Sequence, residues 1–71
     1  MSDMIEVNSS NIAAVGYDEE VKKLLVQFKS GHKYAYDDVP ESTFEAFLAA
    51  PSKGQFFAAA VRGVYAYEKL A

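Results

Sequence analysis

Cysteine is absent from the 71 residues, and histidine occurs once. The first absence excludes disulfide staples and thiolate metal sites. Small secreted domains rely on such staples, so the sequence points to the reducing cytoplasm. The lone His32 cannot furnish a Ser-His-Asp triad or a two-histidine metal site. No apolar run approaches the roughly 18 residues of a membrane span, so no membrane association is expected. The polar, acidic start from Met1 to Ser10 lacks the basic and apolar regions of a signal peptide. Positive charge is scarce as well. Seven Lys and Arg against 10 Asp and Glu leave a formal net charge of −3. That balance argues against a strongly electrostatic nucleic-acid binder and leaves room only for a local basic patch.

What the chain has is apolar and aromatic mass. Hydrophobic residues make up 51% of it, with five Phe and five Tyr. Domains near this size bury only about 60% of the surface their unfolded chains expose. Aromatics that each remove roughly 150–250 Å² from water are an efficient way to fill such a core. Only one domain fits, and a charged fraction of 24% falls short of the disordered signature.

Residues 1–9 read as a flexible or loosely paired leader, and 10–71 as the domain. Asn8-Ser9-Ser10-Asn11 is rich in turn formers. Ile12 to Tyr17 is β-branched and aromatic and reads as a strand, with Gly16 expected at a bulge or close backbone approach. Leu24, Val26 and Phe28 recur at period two within Lys22 to Lys29, the pattern of a half-buried strand. Ser30-Gly31-His32 is a short loop, with Gly31 placed for a positive φ. Lys33 to Asp37 alternates again. Three such strands joined by short turns form an antiparallel meander.

Pro40 suits a helix start, where its missing N–H costs little. Phe44, Phe47 and Leu48 follow at i, i+3, i+4 and make one apolar face. Ala49-Ala50-Pro51 closes this helix. Ser52 and Gln55 have the spacing of a capping box for a second helix. Its buried side is expected to hold Phe56, Phe57, Ala60, Val61 and Val64, with Gly63 as its C-terminal breaker. Tyr65-Ala66-Tyr67 then extends, either as a tail or as a fourth strand. The expected fold is therefore α+β: a three-stranded antiparallel β-meander followed by two short helices packed on one face. The sheet's other face, with Leu25, Gln27 and Lys29, is expected to be exposed.

No catalytic constellation is visible, so the chain reads as a binding module without enzymatic activity, cofactor or metal. Asp18-Glu19-Glu20 and Asp37-Asp38 are carboxylate clusters at turns, and solvated turn charges are commoner than Ca²⁺ or Mg²⁺ sites. Lys53-Gly54 stands at a helix start, where phosphates bind, but lacks a glycine-rich loop before it. Tyr34 and Tyr36, two apart on a strand, share a face. They either pack under the helices with hydroxyls bonded at the edge or form a stacking platform for bases or a partner's side chains. Tyr65 and Tyr67 repeat the pattern. Lys22, Lys23, Lys29 and Lys33 fall on or beside adjacent strands and form either a modest basic strip or a solvated, edge-protecting set.

Beyond these local readings, an ordered set of short motifs resembles the KTSC domain family, named for the C-terminus of some lysyl-tRNA synthetases. The set begins with Ser10-x-Ile12, Val15-Gly16-Tyr17-Asp18, and Leu24-x-Val26-x-Phe28 followed by Gly31. It continues through Tyr34-x-Tyr36, Val39-Pro40, Phe44-x-x-Phe47-Leu48 and Ala50-Pro51-Ser52-x-Gly54. Phe56-Phe57, Val61-Arg62-Gly63 and Tyr65-x-Tyr67-x-x-Leu70 complete it. The resemblance implies a small binding module without established activity, with RNA, tRNA-like or single-stranded, as the suggested ligand. It directs attention to Tyr34, Tyr36 and the Arg62-Gly63 pair, and Tyr65, Lys29 and Lys33 join them as candidate contacts. Against the family's pattern, Ala58, Val64 and Glu68 stand where relatives carry Asn and basic residues. The alternative expectation is a protein-interaction module that docks on a larger protein, itself a monomer or weak homodimer. Tyr and Arg serve well as interface anchors, and an uncovered edge strand invites pairing.

Overall fold

Leu24 and Val26 have no exposed surface, whereas Leu25 and Gln27, which alternate with them, are only half-buried. The period-two pattern thus marks the core side of a strand. In a computed structural model that describes residues 4–71, five strands form one antiparallel sheet in the order β1-β2-β3-β4-β5. They are β1 (Ile5–Glu6), β2 (Ile12–Asp18), β3 (Lys23–Phe28), β4 (Lys33–Tyr36) and β5 (Tyr67–Lys69). The expected meander is β2-β3-β4, and the C-terminal extension is a strand rather than a tail. Of the leader expected over residues 1–9, residues 1–3 lie outside the described residues. Ile5 and Glu6 pair with Val15 and Ala14.

The register sets which residues share a face. Tyr17, Leu24, Tyr36 and Tyr67 form one cross-strand row, and Val15, Val26, Tyr34 and Lys69 the next. Both rows face the helices. The opposite face carries Gly16, Leu25, Ala35 and Glu68 in one row and Ala14, Gln27 and Lys33 in another. Leu25 and Gln27 are half-buried among their cross-strand neighbours rather than open, while Lys29, just past β3, is exposed. The irregularity in β2 lies between Ile12 and Ala14, and Gly16 pairs in register with Leu25. The irregularity therefore sits at Ala13, and of the two readings of Gly16, a bulge or a close backbone approach, the bulge is not there. The β3–β4 loop turns through Gly31 at φ +100°, a value L side chains rarely adopt.

Pro40 stands at the N-cap of α1 (Glu41–Ala49), and its carbonyl accepts from the amide of Thr43 at 3.0 Å. Phe47 is fully buried, Phe44 and Leu48 half-buried, as their spacing requires. Phe44 stacks on Tyr17 of β2 with centroids 5.2 Å apart. Pro51 excludes the helical region for Ala50, which is extended at ψ 136° and ends α1. The second helix, α2 (Lys53–Phe56), starts where expected, with Ser52 Oγ accepting from the Gln55 amide at 3.3 Å. It passes at once into a π turn, Phe57–Val61. Phe57 and Val61 are buried and Phe56 and Ala60 half-buried. Val64 is 59% exposed, contrary to the expected buried side, because the chain leaves the helix at Arg62.

The core between sheet and helices gathers Ile12, Val15, Tyr17, Leu24, Val26, Tyr36, Val39, Phe47, Phe57 and Val61. Tyr17 carries its hydroxyl into this core and donates it to the Val39 carbonyl at 2.5 Å. No helix among the described residues is long and apolar enough to cross a membrane.

Candidate functional site

β4 sends Tyr34 and Tyr36 toward the helices, so the pair belongs to the core side of the sheet. Tyr36 is 5% exposed and Tyr34 half-buried. They do not vanish into the interior, because β5 and the end of α2 leave a cleft above them. Its volume is about 310 Å³, and Phe28, Tyr34, Tyr36, Phe57, Arg62, Gly63 and Tyr67 line it. The aromatic walls support one another. Tyr34 meets Tyr67 edge to face at 5.6 Å, Tyr36 meets Phe57 likewise at 5.6 Å, and Phe28 bridges Tyr34 at 5.7 Å and Phe57 at 5.3 Å. Such pairs sit at the distances and angles that ring quadrupoles favour. Tyr67 is the open member, 62% exposed.

The π turn and the turn after it place Arg62 at the rim. The Arg62 amide bonds the Phe57 carbonyl at 2.8 Å. A bond that spans five residues winds the chain less per residue than an α-helix, so Phe57 and Arg62, five apart, reach the same cleft. Arg62 then takes φ −65° and ψ 125°, Gly63 takes φ +78°, and the Val64 amide closes onto Val61 O at 3.1 Å. This is a type II turn, whose third residue needs a positive φ and favours glycine. The expected helix breaker thus also aims the arginine. Among the described residues, the ion pair found is Lys23–Asp37 at 3.4 Å, and Arg62 forms none.

The tyrosine hydroxyls divide into two sets. Those of Tyr17 and Tyr65 have protein partners, Val39 O and Thr43 Oγ1. Those of Tyr34, Tyr36 and Tyr67 form no hydrogen bond among the described residues. Burial raises the Tyr36 phenol above its ordinary range, the Tyr34 and Tyr67 phenols raise it further, and the Arg62 charge works the other way. Ring centroids stand 5.6 Å apart for Tyr34–Tyr67 and Tyr36–Tyr67 and 6.3 Å apart for Tyr34–Tyr36, and Arg62 lines the same cleft. Chemically, the cleft offers hydrogen-bonding groups at its floor, an exposed ring at its wall and a cation at its rim.

The candidate residues do not all meet there. Tyr34, Tyr36 and Arg62 do. Tyr65 packs against the core with its hydroxyl 3.4 Å from Thr43. Lys33 precedes Tyr34 on β4 and lies on the opposite face, in the row of Gln27. Lys29 borders a separate shallow depression with Ser10, Asn11, Phe28 and Ser30. Lys22 sits exposed in the β2–β3 turn with φ +57°, so the four lysines make no continuous strip beside the tyrosines. Gly63, noted beside Arg62, and Tyr67, noted as the second member of the C-terminal tyrosine pair, also line the cleft; the residues added by the structure are Phe28 and Phe57, with Lys69 on the same sheet face as Tyr34. The signal for Tyr67 is its period-two spacing with Lys69, legible once β5 is known to pair with β4. Lys53 Nζ donates to Ala50 O at 2.6 Å, which occupies the lysine noted at the α2 start. Asp18 Oδ1 accepts from the Glu20 amide at 3.1 Å within its own turn.

Comparison with known proteins agrees with this architecture. The KTSC domain matches residues 8–65. A crystal structure of a KTSC domain protein from Yersinia pestis superimposes with a TM-score of 0.94 at 35% identity, covering 100% of both chains. An uncharacterized protein of Stutzerimonas stutzeri is 40% identical over 53 residues, 75% of each chain. A lysine–tRNA ligase of Nostoc punctiforme is 34% identical over 67 residues, 94% of this chain. The chain spans only 12% of that ligase's length. With more than half its length matched by the family and the fold shared end to end, this chain belongs to the KTSC domain family.

Proposed function

We propose that the protein is a binding module, not an enzyme, that takes unpaired RNA through the cleft of Tyr34, Tyr36, Tyr67 and Arg62. The observation that carries this reading is the convergence on one concave site of three phenols, one of them on the exposed ring of Tyr67, and an arginine, none with a hydrogen-bonding or ion-pair partner for its side chain among the described residues. Unpaired bases are held by stacking on aromatic rings and by hydrogen bonds to their edges, and arginine suits phosphate. A duplex would keep its base faces stacked and unavailable. The occurrence of the same domain in lysine–tRNA ligases, proteins that by name act on tRNA, supports tRNA-like or single-stranded RNA as the ligand. The setting for that role is the cytoplasm.

Fluorescence anisotropy with a labelled single-stranded RNA and with the same strand annealed into a duplex tests the reading. Single-strand binding at low salt, weaker with added salt and weakened in Tyr67→Ala and Arg62→Gln, is expected. Undiminished binding by both variants, or a preference for duplex, would refute it.

A second reading rests on a different observation. Val64, Tyr67 and Leu70 are exposed along or beside β5, one of the two edge strands of the sheet. Edge strands accept an added strand from a protein partner. Recovery of a stoichiometric protein free of nucleic acid, with RNA silent in the anisotropy assay, would favour that reading.

A further inference from the structure

The cations of this chain are few enough to place one by one. Lys23 pairs with Asp37, Lys53 bonds Ala50 O, and Lys33 lies on the far face of the sheet. Lys22 stands in the β2–β3 turn, and Lys29 borders a different depression. Of seven Lys and Arg, only Arg62 and Lys69 remain on the cleft's side. The whole chain carries a formal net charge of −3, so the surface away from these two cations is acidic on balance and repels a phosphate backbone laid across it. The rings are as sparing. Tyr36 and Phe57 are buried, Tyr34 is half-buried, and Tyr67 alone among the cleft's aromatics is exposed. At about 310 Å³, the cleft sits at the small end of ligand pockets, which run from roughly 300 to 1,000 Å³.

From one open ring, two cations and a small volume, we infer that the cleft holds a single nucleotide, one base stacked on Tyr67 with its phosphates at Arg62 and Lys69. This rests on the RNA reading above and deepens it. The Tyr34 and Tyr36 hydroxyls meet polar groups of the base or sugar, and neighbouring nucleotides of a longer strand hang free. The same chemistry is offered by a free mononucleotide and by one looped-out residue of an RNA. Sequence-tolerant single-strand binders work differently, with several aromatics in series along a charged groove.

Amide-shift and calorimetric titrations of the full chain test this, with adenosine and uridine monophosphates, single-stranded oligoadenylates up to an octamer, and a hairpin with one unpaired adenosine. The expected result is that monophosphate and octamer move the same amides, around Tyr34, Arg62, Gly63 and Tyr67, with intrinsic affinities within a few-fold. The octamer's log affinity should fall with log salt at a slope between about −0.7 and −1.4, one or two phosphate contacts at about −0.7 each. Tyr67→Ala should weaken binding by about tenfold, and Arg62→Gln should flatten the slope. Both side chains are exposed, and a thermal melt of each variant separates a change of fold from a loss of binding. An octamer that binds with a slope of about −3 while the monophosphates stay silent overturns the single-nucleotide cleft and leaves RNA binding intact. Monophosphates that bind while every RNA fails uphold the cleft and overturn the RNA reading. Silence from all the probes overturns both.

Discussion

The Arg62 amide donates to the Phe57 carbonyl across 2.8 Å, and through this five-residue bond a core ring and a surface cation come to line the same cleft. Phe57 is 7% exposed, so the turn that fixes Arg62 is anchored in the core. The cation is therefore pre-positioned, which limits the ordering cost of any anion it meets.

Gly63 holds that arrangement at its other end. Its φ of +78° lies in a region that disfavours most side chains with a Cβ, and a left-handed residue other than glycine costs roughly 1–2 kcal/mol. Gly63→Ala should lower unfolding free energy by about that amount in urea titrations and disturb the Arg62 amide. Gly63→Asn should cost less, because asparagine tolerates this region. No atom lies within contact range of a Cβ built there, so an effect of backbone strain is not masked by a clash.

Tyr17 ties β2 to the segment entering α1 through its hydrogen bond to Val39 O. Tyr17→Phe leaves that buried carbonyl without its donor, a loss of about 1–3 kcal/mol measurable by chemical denaturation. The ring itself stays, stacked on Phe44, so near-native packing is expected.

The same tyrosine gives the fold an alkaline limit. Burial raises the Tyr17 phenol above its ordinary value, with the Glu41 and Glu19 charges adding to it, and Tyr36 is raised in the same direction, chiefly by burial. The folded state thus holds these protons more tightly than the unfolded chain. Stability from this source is fully present below the ordinary tyrosine value of about 10, and it is lost as pH rises from there through the higher folded values. Unfolding free energy should decline above that pH, and Tyr17→Phe should show a shallower decline than the parent.

Core and cleft should separate cleanly under truncation. Phe47 has no exposed surface and packs on Phe56 at 5.3 Å, so Phe47→Ala should cost about 3–5 kcal/mol. That is a large fraction of the roughly 5–15 kcal/mol available to a small domain, and thermal melts should show a strongly lowered or absent transition. Tyr67→Ala, at an exposed edge position, should melt much closer to the parent than Phe47→Ala and weaken the proposed RNA binding by about tenfold.

Much of this architecture is legible in the amino-acid sequence because it is local. Alternation at Leu24, Val26 and Phe28, helical spacing at Phe44, Phe47 and Leu48, and the Ser52–Gln55 cap each depend on neighbours a few residues away. β1 escapes such reading, since two residues carry no period. The bulge at Ala13 escapes it too, because alanine gives no sign of irregular pairing, whereas Gly16 suggests one and pairs regularly. The run Phe57-Ala58-Ala59-Ala60-Val61 fits an α-helix as well as a π turn, so the exposure of Val64 is visible only once the helix end is seen.

The cleft is legible in part. Tyr34 and Tyr36 share a face by alternation alone, and the same alternation puts Lys33 on the other side of the sheet. Tyr67 and Lys69 require the β4–β5 register, Tyr36 opposite Tyr67 and Tyr34 opposite Lys69, a pairing across about thirty residues of chain that no local pattern encodes. Tyr65, two residues earlier, has the same residue type yet leads to Thr43 and the core.

The most direct test of the cleft as an RNA-binding surface is an amide-shift titration of labelled protein with short single-stranded RNA at low and moderate salt. Shifts centred on Tyr34, Tyr36, Arg62, Gly63 and Tyr67 that fade as salt rises are the expected result. Shifts confined to the far sheet face around Leu25 and Lys33, or no shifts at low salt, would contradict it.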